Sequence, residues 1–202
     1  MRENLIYTFY TKDTPYEQEA KELCYSFNTF NVAVKAIGYS NAGDWMKNAL
    51  ARSSMLEQIR CTFPTAVIGM LDADVRPVKA PELLWSWYGD VACEDRGHKT
   101  PANRRYSCGV LLFGPTTRGK QLLTMWAAMC RVDPKPKTEL REQLYLYECI
   151  EQMKALRDNP LNVTNIGNNY NRKPEDVKQG DDTVLVHNVA SRRHLKTIGG
   201  VR

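Results

Sequence analysis

Residues 65–77, TAVIGMLDADVRP, decide the predicted fold because a continuous apolar run ends abruptly in two aspartates. A strand that is buried on both faces of a sheet has this pattern, and Arg76 and Pro77 after it indicate a turn. Asp72 and Asp74 are therefore expected at the carboxyl end of a central strand. Open α/β sheets bind their ligands at that position.

Other segments supply the rest of a layered fold. Further β-branched and aromatic runs that predict strands occur at residues 5–10, 32–37, 90–93, 106–113 and 183–187. Helical periodicity predicts helices from Pro15 and over residues 44–60, 118–131 and 138–156. Strands that alternate with helices predict an α/β fold, a mixed and mostly parallel sheet with helices on both faces. At 202 residues, we expect one domain spanning 1–202.

Two predicted helices have informative faces. Thr14, Pro15 and Glu17 form a capping box with proline in the first turn. The predicted core face of this helix consists of Ala20, Leu23, Cys24 and Phe27. In the second helix, the apolar stripe consists of Trp45, Ala49, Leu56 and Ile59. Arg52 lies on that stripe, so it either binds an anion or snorkels at the edge of the stripe.

Composition excludes several classes of protein. Hydrophobic residues make up 43% and charged residues 25%, which is unlike a collagenous, coiled-coil or disordered chain. The six cysteines are spaced singly, without a zinc-knuckle or redox motif, and we expect free thiols. No membrane span or signal peptide is recognisable, so we expect a cytoplasmic protein. The net charge is +5 overall and +7 in residues 101–202, which favours anionic partners or reflects a solvated surface.

The D-x-D triplet indicates a metal site, although such triplets also occur in turns and on solvated surfaces. Mg²⁺ and Mn²⁺ commonly bind one or two carboxylates and complete their shell with water and substrate phosphates. Because Asp72 and Asp74 follow a buried strand, we favour the metal site.

Six elements in chain order resemble small GT-A glycosyltransferases that use nucleotide sugars, in particular compact bacterial and phage-type members. They are FYTKDTPYEQEA at the start, W-x-x-N-x-x-x-R (Trp45, Asn48, Arg52), LDADV, Ser107-Cys108-Gly109-Val110, Glu142-Gln143 and H-x-x-x-S-R-R from His187. The resemblance covers nearly the whole chain. It implies that Asp72, Asp74 and His187 hold Mn²⁺ or Mg²⁺, with Asp72 also near the donor ribose.

The resemblance also implies donor-binding and catalytic residues. The donor contacts that it implies are Thr8, Tyr10, Thr11, Arg52, Asp72, Ser107, Gly109, Arg192, Arg193 and Lys196. It implies a catalytic role for Gln143 beneath the anomeric carbon and for Glu142 beside it, which favours retention of configuration. An inverting enzyme would instead use a carboxylate there as a general base.

Alternatives of other classes remain open. A nucleotidyltransferase also uses paired aspartates, but the segment TKDTPYEQ after the first strand lacks the glycine-rich loop of that class. A non-catalytic nucleotide or nucleic-acid binding module would fit the basic second half. For a transferase, we expect the acceptor at loops 95–105 and 171–176, and it would be a modified base in phage DNA, reached in the host cytoplasm, or a glycan or lipid-linked sugar.

Overall fold

The structure is a computed structural model, which describes residues 4–133, 141–178 and 180–187. The strands are β1 (Asn4–Thr11), β2 (Val34–Tyr39), β3 (Val67–Leu71), β4 (Val75–Pro77), β5 (Val91–Cys93), β6 (Val110–Phe113), β7 (Val163–Asn165) and β8 (Leu185–His187). The helices are α1 (Pro15–Asn28), α2 (Trp45–Thr62), α3 (Leu83–Ser86), α4 (Ala102–Arg105), α5 (Thr117–Val132) and α6 (Arg141–Lys154). Two 3₁₀ turns span Asn168–Tyr170 and Pro174–Asp176.

Six strands form one mixed sheet in the order β2-β1-β3-β6-β5-β7. β1 is parallel to β2 and β3, β6 is antiparallel to β3 and β5, and β7 is parallel to β5. The carboxyl ends of β1, β2, β3, β5 and β7 therefore share one edge with the amino end of β6. A separate pair, β4 with β8, is antiparallel.

Helices cover both faces of this sheet, which confirms the predicted fold class. Leu56 of α2, Trp126 of α5 and Ile150 of α6 are fully buried in the larger core cluster. Leu23 and Phe27 of α1 are fully buried in the cluster on the other face. The two apolar faces of the sheet thus account for two hydrophobic clusters.

The first helix starts where its sequence predicts, but its cap differs. Pro15 is the first residue of α1, while the Thr14 hydroxyl donates to the Thr11 carbonyl (2.7 Å) and makes no cap hydrogen bond to the helix. The capping-box prediction is wrong in this respect, because the Thr14 hydroxyl binds the carbonyl group of Thr11 at the end of β1 instead of the helix. Ala20, Leu23 and Phe27 are buried as predicted, and Cys24 is half-buried.

The second and last helices show where periodicity misplaced a face. Trp45 is 49% exposed, because it is the first residue of α2 and lines a cleft, so its predicted core position is wrong. For the last helix, helical spacing predicts Leu140, Leu144, Tyr147, Ile150 and Met153 on the buried side. In α6, Ile150 and Met153 are buried, but Leu144 and Tyr147 are half-buried. The buried side of α6 also takes up Arg141, Glu142, Tyr145, Leu146 and Cys149. Residues 138–140 of the predicted helix lie outside the described residues.

Loop 95–105 is more structured than predicted. It contains the short helix α4, and Arg105 is 5% exposed. The Arg105 guanidinium pairs with Asp95 (3.1 Å) and Glu151 (3.5 Å). The predicted strand 106–113 is shortened to β6, because Tyr106 makes only an isolated bridge to Asp95.

All six cysteines are free thiols, as predicted. Among the helices that the structure describes, none is both long and apolar enough to cross a bilayer.

Candidate metal site and cleft

Asp72, Asp74 and His187 meet at the edge where β3 ends. Asp72 and Asp74 follow β3, and the pairing of β4 with β8 places His187 opposite Val75. The His187 Nε2 atom lies 3.0 Å from Asp74 Oδ1 and 3.5 Å from Asp72 Oδ2. One ligand atom from each of the three residues lies within 4.8 Å of the others. The pairing of β4 with β8 thus brings together residues that are more than 100 positions apart in the sequence.

These three side chains are suitable ligands for a divalent cation. In an octahedral shell with bonds of about 2.1 Å, neighbouring ligand atoms are about 3 Å apart and opposite ones about 4.2 Å apart. The spacing of the three side chains falls within what such a shell needs after small adjustments. Two carboxylates with one imidazole can hold Mn²⁺ or Mg²⁺, and the imidazole nitrogen favours a transition metal.

The electrostatics of His187 reflect its two acidic neighbours. Burial disfavours the charged ring, but the hydrogen bond to Asp74 and the charge of Asp72 outweigh it, and the pKa of His187 is raised. A cation that binds Nε2 must therefore displace a proton as the ring becomes a ligand.

Arg52 joins this site to α6. Its Nη1 atom donates to Asp72 Oδ1, its Nη2 atom to Glu142 Oε2, and its Nε atom to Glu142 Oε1 (3.2 Å). Only 15% of its side chain is exposed. The snorkelling interpretation is wrong, because the guanidinium lies between two carboxylates.

Glu142 lies behind Arg52. Its side chain is 5% exposed, and it is not among the described residues that line the cleft. Burial raises the pKa of Glu142, and the charge of Arg52 opposes this. Gln143, the next residue, does line the cleft, and its buried Oε1 atom has no hydrogen-bond partner among the described residues. Gln143 is therefore the residue of this pair that borders the cleft.

A cleft of about 1030 Å³ opens over the three metal-site residues. On the β1–β2 side, its wall is aromatic and consists of Tyr10, Tyr16, Tyr39 and Trp45. On the β5–β7 side, its wall is polar and consists of Glu94, Arg96, Arg104, Asn168, Asn171, Arg172, Lys173, Asp176 and Lys178. The metal site lies between the two walls because β3 lies between those strands in the sheet.

The donor-binding residues implied by resemblance are divided by the structure. Tyr10, Thr11, Arg52 and Asp72 line the cleft. Thr8 is fully buried and lies outside the cleft lining among the described residues, as do Ser107 and Gly109. Arg192, Arg193 and Lys196 lie outside the described residues.

Sequence reasoning missed two buried polar residues, Glu94 and Asn171. Asn171 Nδ2 donates to Glu94 Oε2 (2.6 Å) and to Ser107 Oγ (2.8 Å), while its Oδ1 lies 2.9 Å from His187 Nδ1. Glu94 follows β5, so the rule that sites form at strand ends could have found it. Asn171 belongs to a loop that was predicted only as an acceptor surface.

Three cations on the polar wall have no carboxylate partner in the part of the chain that the structure describes. They are Arg104, Lys173 and Lys178, all exposed. By contrast, Arg96 pairs with Glu94 (3.0 Å) and Arg172 with Asp181 (2.6 Å). The polar wall therefore carries positive charge that is available to a ligand.

Comparison with known proteins adds a fold relationship. No protein-family model matches the chain, and no curated protein matches it. The chain is similar to the crystal structure of a glycosyltransferase involved in the glycosylation of the major capsid of PBCV-1. The TM-score is 0.65 and the identity 15%, over 97% of this chain and 100% of that one. The chain therefore has a glycosyltransferase-like fold, a mixed α/β sheet whose strand ends carry an acidic site suited to a metal ion.

Proposed function

We propose that this protein is a metal-dependent glycosyltransferase of the GT-A type, which transfers a sugar from a nucleotide sugar, with UDP as the nucleotide, to an acceptor. The observation that supports it most is the cluster of Asp72, Asp74 and His187 at the end of the central strand, beneath a large cleft. The glycosyltransferase-like fold supports the same assignment.

In this proposal, Asp72, Asp74 and His187 hold the cation, which is Mn²⁺ in preference to Mg²⁺ because of the imidazole ligand. The bound cation supplies positive charge that stabilises the diphosphate leaving group. Arg52 lines the cleft and donates to the Asp72 carboxylate, so in this proposal it orients that metal ligand. The phosphate contact implied by resemblance stays a prediction.

The aromatic wall is the proposed nucleoside site. Tyr10 and Trp45 offer ring faces on which a nucleobase can stack, and Thr11 offers a hydroxyl beside them. Arg192, Arg193 and Lys196 remain candidates for the donor phosphates.

The arrangement of Glu142 and Gln143 favours retention of anomeric configuration. A general base must reach the acceptor hydroxyl, but the Glu142 carboxylate is held by Arg52 outside the cleft lining. Gln143 lines the cleft, where its side chain would contact the donor sugar.

The polar wall is the proposed acceptor site. Arg104, Lys173 and Lys178 would bind an anionic acceptor, for which DNA with a modified, hydroxyl-bearing base is our first choice and a glycan the second.

Release of free nucleoside diphosphate from a panel of sugar nucleotides with Mn²⁺ tests the proposal. We expect release from a UDP-sugar that disappears in Asp74→Ala and persists in Asp158→Ala, which changes an exposed aspartate outside the cleft. Release of pyrophosphate from a nucleoside triphosphate and a sugar phosphate would assign a nucleotidyltransferase instead. Binding of UDP-sugar without any turnover or hydrolysis would assign a binding module.

A further inference from the structure

A buried hydrogen-bond chain reaches His187 from the side that faces away from the acidic pair. Asn171 is 8% exposed and Glu94 7% exposed. The Asn171 amide lies between the Glu94 carboxylate and the His187 ring. Arg96 binds the same Glu94 oxygen through its Nε (3.1 Å) and Nη2 (3.0 Å) atoms, so this oxygen already accepts from a cationic group.

The chemistry of Glu94 decides which end of the Asn171 amide faces His187. An ionised carboxylate only accepts hydrogen bonds, so the NH₂ group of Asn171 must point toward Glu94. The amide oxygen of Asn171 then faces His187 Nδ1, and because a carbonyl oxygen only accepts, Nδ1 must carry a hydrogen. Nε2 faces Asp72 and Asp74, so it shares a proton with their carboxylates in the metal-free site and offers its lone pair to a cation once that proton is displaced.

Gly109 makes room for this contact. A Cβ atom at Gly109 would lie 2.9 Å from Asn171 Oδ1 and 3.0 Å from His187 Nδ1. Any larger side chain there would therefore press on both partners of the hydrogen bond. This gives Gly109 a role behind the site, in place of the donor contact that resemblance implies.

The backbone holds the two partners in register. The His187 N–H donates to the Arg172 carbonyl (2.8 Å), and the Arg172 N–H donates to the Leu185 carbonyl (3.2 Å). Asn171 is thus tied to the same short strand that carries His187.

We propose that Asn171 is a positioning residue that holds His187 in the tautomer with hydrogen on Nδ1, so that Nε2 is available as a metal ligand. This rests on the proposed metal-dependent function. Groups that orient a ligating histidine through its second nitrogen typically change metal affinity by about 10- to 100-fold when they are removed.

The first experiment observes the tautomer without any metal in Asp72→Ala combined with Asp74→Ala, because the two carboxylates otherwise compete for a proton on Nε2. Two-bond ¹H–¹⁵N correlation spectra of this labelled full chain are recorded above the pH at which titration shows the His187 ring to be neutral, and His187→Gln identifies the signal. We expect the Nδ1–H form in this background and a loss of that preference when Asn171→Leu is added. An Nε2–H form in this background, or an unchanged preference with Asn171→Leu, would overturn the proposal.

The second experiment measures Mn²⁺ affinity by electron paramagnetic resonance. Asn171→Leu should bind Mn²⁺ about 10- to 100-fold more weakly. Asn171→Asp should also weaken it, because two carboxylates then face each other. Combining Asn171→Asp with Glu94→Gln reverses donor and acceptor in the hydrogen bond between residues 94 and 171. This pair of changes should restore the Mn²⁺ affinity to within about threefold of that of the original protein, as expected for directly coupled partners.

These readouts separate the positioning role from the proposed function. If the tautomer depends on Asn171 but the unsubstituted protein binds no Mn²⁺, the positioning of the ring stands and the metal-dependent function fails. If Asn171→Leu does not fold, the doubly substituted protein and Gly109→Ala take its place. In that case, unchanged tautomer and Mn²⁺ affinity in Gly109→Ala, or failure of the exchange to restore affinity, would overturn the proposal.

Discussion

At the scale of single residues, Arg52 is the side chain whose role changes most between sequence and structure. It interrupts an apolar stripe, which indicates an inward charge, but periodicity does not reveal what that charge meets. The partners are Asp72 after β3 and Glu142 on α6, which are 20 and 90 positions away. A phosphate contact and a carboxylate contact require the same inward arginine, so only tertiary structure distinguishes them.

Arg52→Met should destabilise the protein by about 3 kcal/mol, because it leaves Glu142 buried without its partner. Arg52→Met combined with Glu142→Met should recover much of that loss, since no unpaired buried charge remains. Mn²⁺ affinity should stay low in both variants, because Asp72 has lost the donor that orients it. Urea unfolding and Mn²⁺ titration measure the two effects, and full Mn²⁺ affinity in the doubly substituted protein would contradict the positioning role of Arg52.

The metal-free protein should become less stable as the pH rises through the raised pKa of His187. The folded state binds this proton more tightly than the unfolded chain, because Asp74 and Asp72 face the ring. The stabilisation is therefore complete below the ordinary pKa of 6.5 and disappears above the raised value. Urea unfolding from pH 6 to pH 9 measures it, with His187→Gln as the control, and equal pH profiles for both proteins would contradict the prediction.

At the scale of elements, long periodic segments were predictable, and so were the short strands β5 and β8, but β4 and β7 were not. Leu23 and Phe27 in α1 follow helical spacing and pack on the sheet as expected, because an amphipathic helix has one stable way to face a core. β4 has three residues and includes Pro77, and β7 is equally short. Such strands form because of their pairing partners, and no local pattern marks them. The contact between Asn171 and His187 likewise depends on a long-range pairing, the bridge between Arg172 and Val186, which is why sequence reasoning missed it.

Arg60 links the end of α2 to the sheet and should be a strong determinant of stability. Its guanidinium donates to the Ala66, Phe113 (2.8 Å) and Gly114 (3.2 Å) carbonyls, and burial lowers its pKa to about 10. Arg60→Met leaves these buried carbonyls without donors, at a cost of about 2–4 kcal/mol. Urea unfolding measures the loss. The matched control is Arg131→Met, which removes a half-exposed arginine paired with Glu57 and should cost less than about 1 kcal/mol; equal costs would contradict the proposed link.

At the scale of the whole molecule, the order of strands in the sheet divides the cleft. The aromatic wall belongs to the β2–β1 side and the polar wall to the β5–β7 side. Asp72 and Asp74 follow β3 between them, and β8 brings His187 to the same place. The charge count of the sequence already indicates a basic second half, but it cannot distinguish paired cations from available ones. Arg105 is an example, because it was a candidate for acceptor binding and is instead buried against Asp95.

The affinity for DNA should depend steeply on salt concentration if the polar wall is the acceptor site. Each neutralised phosphate of duplex DNA releases counterions and contributes about 0.9 to the slope of log affinity against log salt. Joint substitution of Arg104, Lys173 and Lys178 by glutamine should therefore flatten the slope by up to about 2.7. The charge-matched control replaces cations that do not line the cleft, namely Lys21, Lys35 and Lys120. It should leave the slope nearly unchanged, because these side chains are remote from the proposed path of the acceptor.

Fluorescence anisotropy with duplex and single-stranded oligonucleotides gives both slopes, and Mn²⁺-dependent UDP binding confirms that the cleft remains intact. Equal flattening by the two sets of substitutions would mean that DNA binds through overall charge, and absence of DNA binding at low salt would favour a glycan as the acceptor.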